Sequence, residues 1–319
     1  MDPVVHRRLR ALSTARAEFL DRLYRGSENT HRSDRGQPRA QAQRSGTMSA
    51  ATDGIREGVP VWADVMLADV EAGKRFYGEL LGWSSFRDAG GEYGNYAQAF
   101  RGGRNVAALA PKPDGRMPTA WTVYFASADA AATAERIRAA GGQIIMGPMA
   151  IGPFGTMLMA ADPGGAVFGV WEAGSHRGFE EQGVPGCYGW TELYTWDAKA
   201  VDPFYEAVFG YATHDVSEEA GVEFAIWTPA GSPGTPENAV AGRAVMDDRF
   251  PREMPAHFLV YFVVEDCDET VRSALRLHGR VLRDPQDTPY GRFAVLADDQ
   301  GADFAVIDVS AGRNGPERA

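Results

Sequence analysis

The phrase "FYGELLGW" at Phe76–Trp83 returns in relaxed form as "FYEAVFGY" at Phe204–Tyr211. An internal repeat constrains a fold more than any local propensity, because the unit around the first copy must be built again around the second. The landmarks on both sides recur in the same order. "MPTAWTVYF" is answered by "MPAHFLVYF", and "GPFGTMLMAADPGGAVF" by "TPYGRFAVLADDQGADF".

Each half repeats internally as well. "VWADVMLAD" alternates as a strand, and "VEAGKRFYGELLGW" then carries Val70, Phe76, Tyr77, Leu80 and Leu81 at helical spacing before Gly82, a helix-ending residue. Strand-like "NYAQAF" and "NVAALAP" follow, and the cycle restarts with "AWTVYFAS" and the helical "DAAATAERIRAAGG". The reading is four βαβββ units, two in each half, of class α+β. The expected boundaries are a first module over 58–175, a Gly-rich linker over 176–186, a second module over 187–312 and a tail over 313–319.

Composition narrows the function. A net charge of −11 argues against a nucleic-acid or anionic-membrane partner. Two cysteines, Cys187 and Cys267, provide neither a disulfide framework nor a zinc spacing. No apolar run approaches the roughly 20 residues of a membrane span. The expectation is a cytoplasmic protein, monomer or homodimer. The first 47 residues differ: they are basic, rich in Arg, Ser and Gln, and poor in large apolar residues after Tyr24. They read as part of a disordered extension over 1–57 that the repeats do not need, or as a basic arm that docks a partner.

The four units, with "FYGELLGW" after the first helix, "VYF" opening the second unit and "ADPGGAVF" closing it, resemble the vicinal oxygen chelate superfamily. It includes glyoxalases, extradiol dioxygenases and bleomycin- and fosfomycin-resistance proteins. The resemblance runs from about Val59 to Ser310 and is greatest to two-module glyoxalase-like members. It implies curved mixed sheets around a cleft in each module, with helices on the outside. It leaves the reaction open, because this scaffold hosts many chemistries.

Alternation then assigns the faces. Ala63, Val65 and Leu67 take the helix side, leaving Trp62, Asp64 and Met66 for the cleft. In the second module Thr191, Leu193 and Thr195 take the helix side, and Trp190, Glu192, Tyr194 and Trp196 the cleft. Tyr124 and Tyr261 point inward from the facing units. Glu192 and Asp64 are thus candidate acid/base groups, an acid among aromatics being the setting that raises a carboxyl pKa. Trp190, Tyr194, Trp196, Tyr261, Trp62 and Tyr124 are candidate ligand contacts, each equally readable as packing.

Metal-dependent members of the superfamily hold a divalent ion with inward His, Gln or Glu side chains. Aligned on Asp69, Asp129, Asp197 and Asp266, the first-strand ligand positions fall on Trp62, Thr122, Trp190 and Leu259, and the closing glutamate on Gly169 and Ala305. None of these ligates, so no metal or other cofactor is expected. Two functions fit best: a metal-free enzyme tailoring an aromatic or polyketide-like metabolite by acid/base chemistry, and a protein that sequesters a drug or metabolite; a metal-dependent lyase or dioxygenase is the less favoured alternative. The second module, more aromatic and carrying Glu in place of Asp, is expected to hold the working cleft.

Overall fold

A computed structural model describes residues 56–90, 94–112 and 114–311. Almost all of the expected N-terminal extension, and the tail, lie outside the described residues. The first unit is β1 (Pro60–Leu67), α1 (Val70–Leu81), β2 (Ser85–Asp88), β3 (Ala97–Arg101) and β4 (Arg104–Pro111). The second is β5 (Ala120–Ala126), α2 (Ala130–Ala139), β6 (Gln143–Ile151), β7 (Gly155–Ala161) and β8 (Val167–Ala173). The third is β9 (Tyr188–Thr195), α3 (Ala198–Phe209), β10 (Tyr211–Asp215), the one-turn α4 (Ser217–Ala220), β11 (Phe224–Pro229) and β12 (Ala241–Val245). The fourth is β13 (His257–Val263), α5 (Cys267–Arg276), β14 (Arg280–Thr288), β15 (Gly291–Ala297) and β16 (Asp303–Asp308).

Every unit begins its helix in the same way. Asp69, Asp129, Asp197 and Asp266 each lie two or three residues past a strand and accept a backbone N–H from the helix's first turn. An N-cap carboxylate satisfies one of the four donors a helix start leaves open. Gly82 and Gly210 end α1 and α3 at φ 70° and 72°, a left-handed conformation that side chains rarely adopt.

The two units of each module share one eight-stranded mixed sheet, ordered β2-β3-β4-β1-β5-β8-β7-β6 and β10-β11-β12-β9-β13-β16-β15-β14. The first strands of paired units meet antiparallel at the centre, and each lies parallel to the last strand of its own unit. At one edge of each sheet the strands are short, β2 and β10. At the other, β6 and β14 each hold a proline, Pro148 or Pro285, and two register irregularities against their single neighbour.

Period-2 alternation holds through the central strands. Ala63, Val65, Leu67 and Leu193 sit in one core, whereas Trp62 and Met66 belong to a second cluster and Trp190 and Tyr194 to a third. The first core is shared: it joins the helix sides of both sheets. The helices therefore lie on the face of each sheet away from Asp64 and Glu192, as expected, and their apolar sides pack between the two modules. Phe76 and Tyr77 of α1 meet Phe304 of the second module, and Phe204 and Tyr205 of α3 meet Phe168 of the first. Burying each such side chain contributes about 1.5–3 kcal/mol.

The repeated phrase finds its physical reason in this seam. Tyr77 Oη donates to Asp298 Oδ2 at 2.9 Å, and Tyr205 Oη donates to Asp162 Oδ2 at 3.1 Å. Asp162 and Asp298 stand at the head of the "DPGG" and "DDQG" turns, each also accepting a backbone N–H from across its turn. Each module's helix tyrosine thus completes the other module's turn. The linker also packs closely. Phe179 N–H donates to Val61 O at 2.7 Å, and its ring stacks on Tyr188 and tilts against Trp62.

Candidate active site

Glu192 lies at the middle of β9, between Gly242 of β12 and Leu259 of β13. The glycine makes room for it: a Cβ at Gly242 would stand 3.1 Å from Glu192 Cγ and 2.6 Å from the Phe224 ring. The first module holds the shorter Asp64 beside Ala108 at the corresponding register. The longer acid goes with the smaller neighbour.

Three donors surround the Glu192 carboxyl. Tyr261 Oη donates to Oε2 at 2.7 Å, Tyr194 Oη to the same oxygen at 3.1 Å, and Trp190 Nε1 to Oε1 at 3.2 Å. Burial pushes its pKa above the ordinary glutamate value, against the lowering pull of these bonds and of the Arg283 charge. Burial, reinforced by the Glu192 charge, likewise raises both phenols, so they stay protonated donors near neutrality.

The half-buried Glu192 meets a cavity of about 480 Å³, within the usual range for small-molecule sites. Its walls are aromatic: Trp190, Tyr194, Phe224, Phe250, Tyr261 and Phe293 all contribute. Of the expected second-module contacts, Trp190, Tyr194 and Tyr261 line it and Trp196 does not. Trp196 sits one residue past β9, donates Nε1–H to Met254 O at 2.8 Å, and carries Arg252 over its ring at 5.4 Å. His257 stacks on Tyr194 with ring centroids 5.4 Å apart, outside the lining.

The first module assembles a parallel arrangement away from this cavity. Asp64 Oδ2 accepts from Tyr124 Oη at 2.9 Å and Tyr96 Oη at 3.0 Å, and Trp62 Nε1 donates to Tyr96 Oη. Asp64, Trp62 and Tyr124 are each only 4 % exposed. The linker adds to their cover, with His176 set edge-on to Trp62 at 4.5 Å.

Trp190 and Leu259 occupy corresponding places on β9 and β13, and the closing position, Ala305, lies beside Tyr261. In the first module a Cβ added at Gly169 would stand 2.1 Å from the Tyr124 ring, which occupies the space a ligating side chain there would need. Among the described residues no three His, Cys, Asp or Glu lie close enough to hold a metal ion. The residues present do not fit the superfamily's divalent site. No helix among the described residues is long and apolar enough to cross a membrane.

Several lining residues escaped the sequence reading: Arg283 on β14, Arg249 and Phe250 on the loop before β13, and Phe293 on β15. Alternation in "GRFAVLADD" offered a signal for Phe293. The loop and the proline-broken β14 offered none.

Comparison with known proteins agrees with the architecture. Residues 60–170 match the Glyoxalase/Bleomycin resistance protein/Dioxygenase superfamily, and residues 191–307 match the Glyoxalase-like domain. The chain is 39% identical over 271 residues to the anthracycline biosynthesis protein DnrV of Streptomyces peucetius, covering 80% of this chain and 94% of that protein. The 2,3-dioxygenase LapB from Pseudomonas sp. KL28 shares the fold at a TM-score of 0.54 and 14% identity, over 79% of this chain and 93% of its own. The Mn(II)-bound glyoxalase from Novosphingobium aromaticivorans does so at 0.53 and 16%, over 81% and 86%. The chain belongs to the Glyoxalase/Bleomycin resistance protein/Dioxygenase superfamily, with one glyoxalase module in each half.

Proposed function

We propose that the protein is a small-molecule tailoring enzyme of secondary metabolism that moves a proton on a flat aromatic, polyketide-like ligand in the second-module cavity. The observation that carries this reading is Glu192: a carboxyl with a raised pKa, held by three donors on an aromatic wall. Biosynthesis as the setting is supported by the name of the 39% identical DnrV. Ionised Glu192 takes a proton from an acidic C–H or O–H of the ligand and returns it to another atom. Tyr261, its nearest donor, holds the carboxyl in place and steadies its negative charge before the proton arrives. Trp190 supplies a flat stacking surface beside the acid. We read this step as independent of a resident metal, because the positions aligned with the superfamily's ligands carry no imidazole, carboxylate or amide side chain here.

A second reading, sequestration of a drug or metabolite, draws on the same carboxyl. Both of its oxygens already accept hydrogen bonds from the site's own side chains. Glu192→Gln separates the two. Wild type and variant are incubated in heavy water with fused-ring aromatic phenols and quinones. Deuterium entering the ligand is followed by mass spectrometry and binding by tryptophan fluorescence. The enzyme reading expects exchange to fall by about 10²–10⁴-fold with binding retained. Wild-type protein that binds these compounds without catalysing exchange or conversion would leave the sequestering reading.

A further inference from the structure

Four charged residues line the cavity: Glu192, Arg249, Arg283 and Asp287. Three are committed to side chains of the protein itself. Arg249 is clasped by Asp247, its Nε 3.0 and 2.9 Å from the two carboxylate oxygens. Asp287 accepts from Arg292 at 2.9 Å, and Glu192 receives the three donors described above. Arg283 is different. Its guanidinium lies 5.9 Å from the ring centroids of both Phe250 and Phe293, and among the described residues it has neither a carboxylate at ion-pair distance nor a side-chain hydrogen bond.

Ring faces attract the cation but leave its N–H donors unused. A guanidinium carries five of them in a planar fork that matches a carboxylate or other anionic oxygen. Arg283 is itself only partly exposed, and an ion pair shielded from water is stronger than one in the open. Phe250 comes from the loop before β13 and Phe293 from β15, so two separate segments bring their rings to Arg283.

We propose that Arg283 is the ligand's counter-ion, and that the cavity selects flat aromatic molecules bearing an anionic oxygen, a carboxylate or an acidic phenolate. This rests on the reading of the cavity as an aromatic ligand site and adds the charge of its occupant. Trp190 and its neighbours contact the ring system while Arg283 fixes its orientation through the anionic group. A neutral molecule of the same shape fills the cavity but leaves the N–H donors of the guanidinium unused.

The test uses two anthraquinones substituted at the same ring carbon, one with a carboxylate and one with a hydroxymethyl group. Affinities are read by tryptophan fluorescence on the full-length protein. Wild type should prefer the carboxylate by about tenfold or more, the scale of one charged hydrogen-bonded contact. Arg283→Met should abolish that preference while holding the neutral compound within about threefold of wild type. Equal affinities in wild type, or a preference that survives Arg283→Met, would overturn the role of Arg283 and leave the aromatic cavity standing. If neither compound binds wild type, the cavity reading fails and this one with it. Should Arg283→Met lose both compounds, Arg283→Lys decides: a retained carboxylate preference supports the proposal, and its loss sinks it.

Discussion

The reciprocal tyrosine–aspartate seam yields a prediction whose size follows from its geometry. In Tyr205→Phe, Asp162 loses the donor at 3.1 Å but keeps the Ala166 N–H at 2.9 Å. Burial pushes Asp162 up to about 6, against the downward pull of these bonds. A folded pKa above the unfolded value of 3.8 means that Asp162 favours the fold fully below about pH 4. That contribution, about 3 kcal/mol for such a shift, is lost as pH rises through about 6. The tyrosine limits this loss by bonding to the ionised form. Its removal should therefore cost about 2 kcal/mol near pH 8, where the bond is charge-assisted, and about 1 kcal/mol near pH 5, where Asp162 is protonated. Tyr77→Phe should cost more near neutrality, because Trp121 Nε1 donates to Tyr77 Oη at 3.0 Å and would be left buried without its acceptor, a further 1–3 kcal/mol or so. Guanidinium denaturation midpoints for the three proteins, at both pH values, measure these differences. A Tyr205→Phe cost independent of pH, or a Tyr77→Phe cost below that of Tyr205→Phe, would refute the account of the seam.

Purified protein should carry no stoichiometric Ni, Zn, Fe or Mn, and chelators should leave its Tm unchanged; one tightly bound transition metal per chain in elemental analysis would contradict the donor assignment. Trp190→Ala should weaken binding of fused-ring aromatics by about 10-fold, a stacking contribution near 1–1.5 kcal/mol, while Asp64→Asn changes it little. The reverse pattern in fluorescence titrations would move the working cleft to the first module. If Glu192 acts as a base, activity should rise with pH through an apparent pKa above the ordinary glutamate range, since burial raises it, and Glu192→Gln should erase that limb. An unshifted limb, or one that persists in the variant, would remove Glu192 from that role.

Much of the fold was legible because repetition and period-2 alternation are local signals. Ala63, Val65 and Leu67 could be separated from Trp62, Asp64 and Met66 by counting along β1 alone. The fate of the helix face was not legible in that way. Alternation tells which side of a sheet a residue occupies but not what lies across from it, and Tyr77 finds Asp298 only once two sheets have closed on a common core. The site divides along the same line. Glu192, Trp190, Tyr194 and Tyr261 sit on central strands, where the pattern is strongest. Trp196 lies just beyond the strand end, where alternation no longer fixes direction. Arg283 lies on a strand whose polar residues and Pro285 mask its inward face, and its ring partners come from separate segments.

The outer edges of the two sheets bear on self-association. A row of unpaired backbone groups along an edge strand invites a second chain to continue the sheet. Here β2 and β10 offer only a few residues, while β6 and β14 each contain a proline, Pro148 or Pro285, and have irregular registers. Strand addition is thus disfavoured at all four edges. A homodimer would have to be built from side-chain surfaces, and its formation should not extend either sheet.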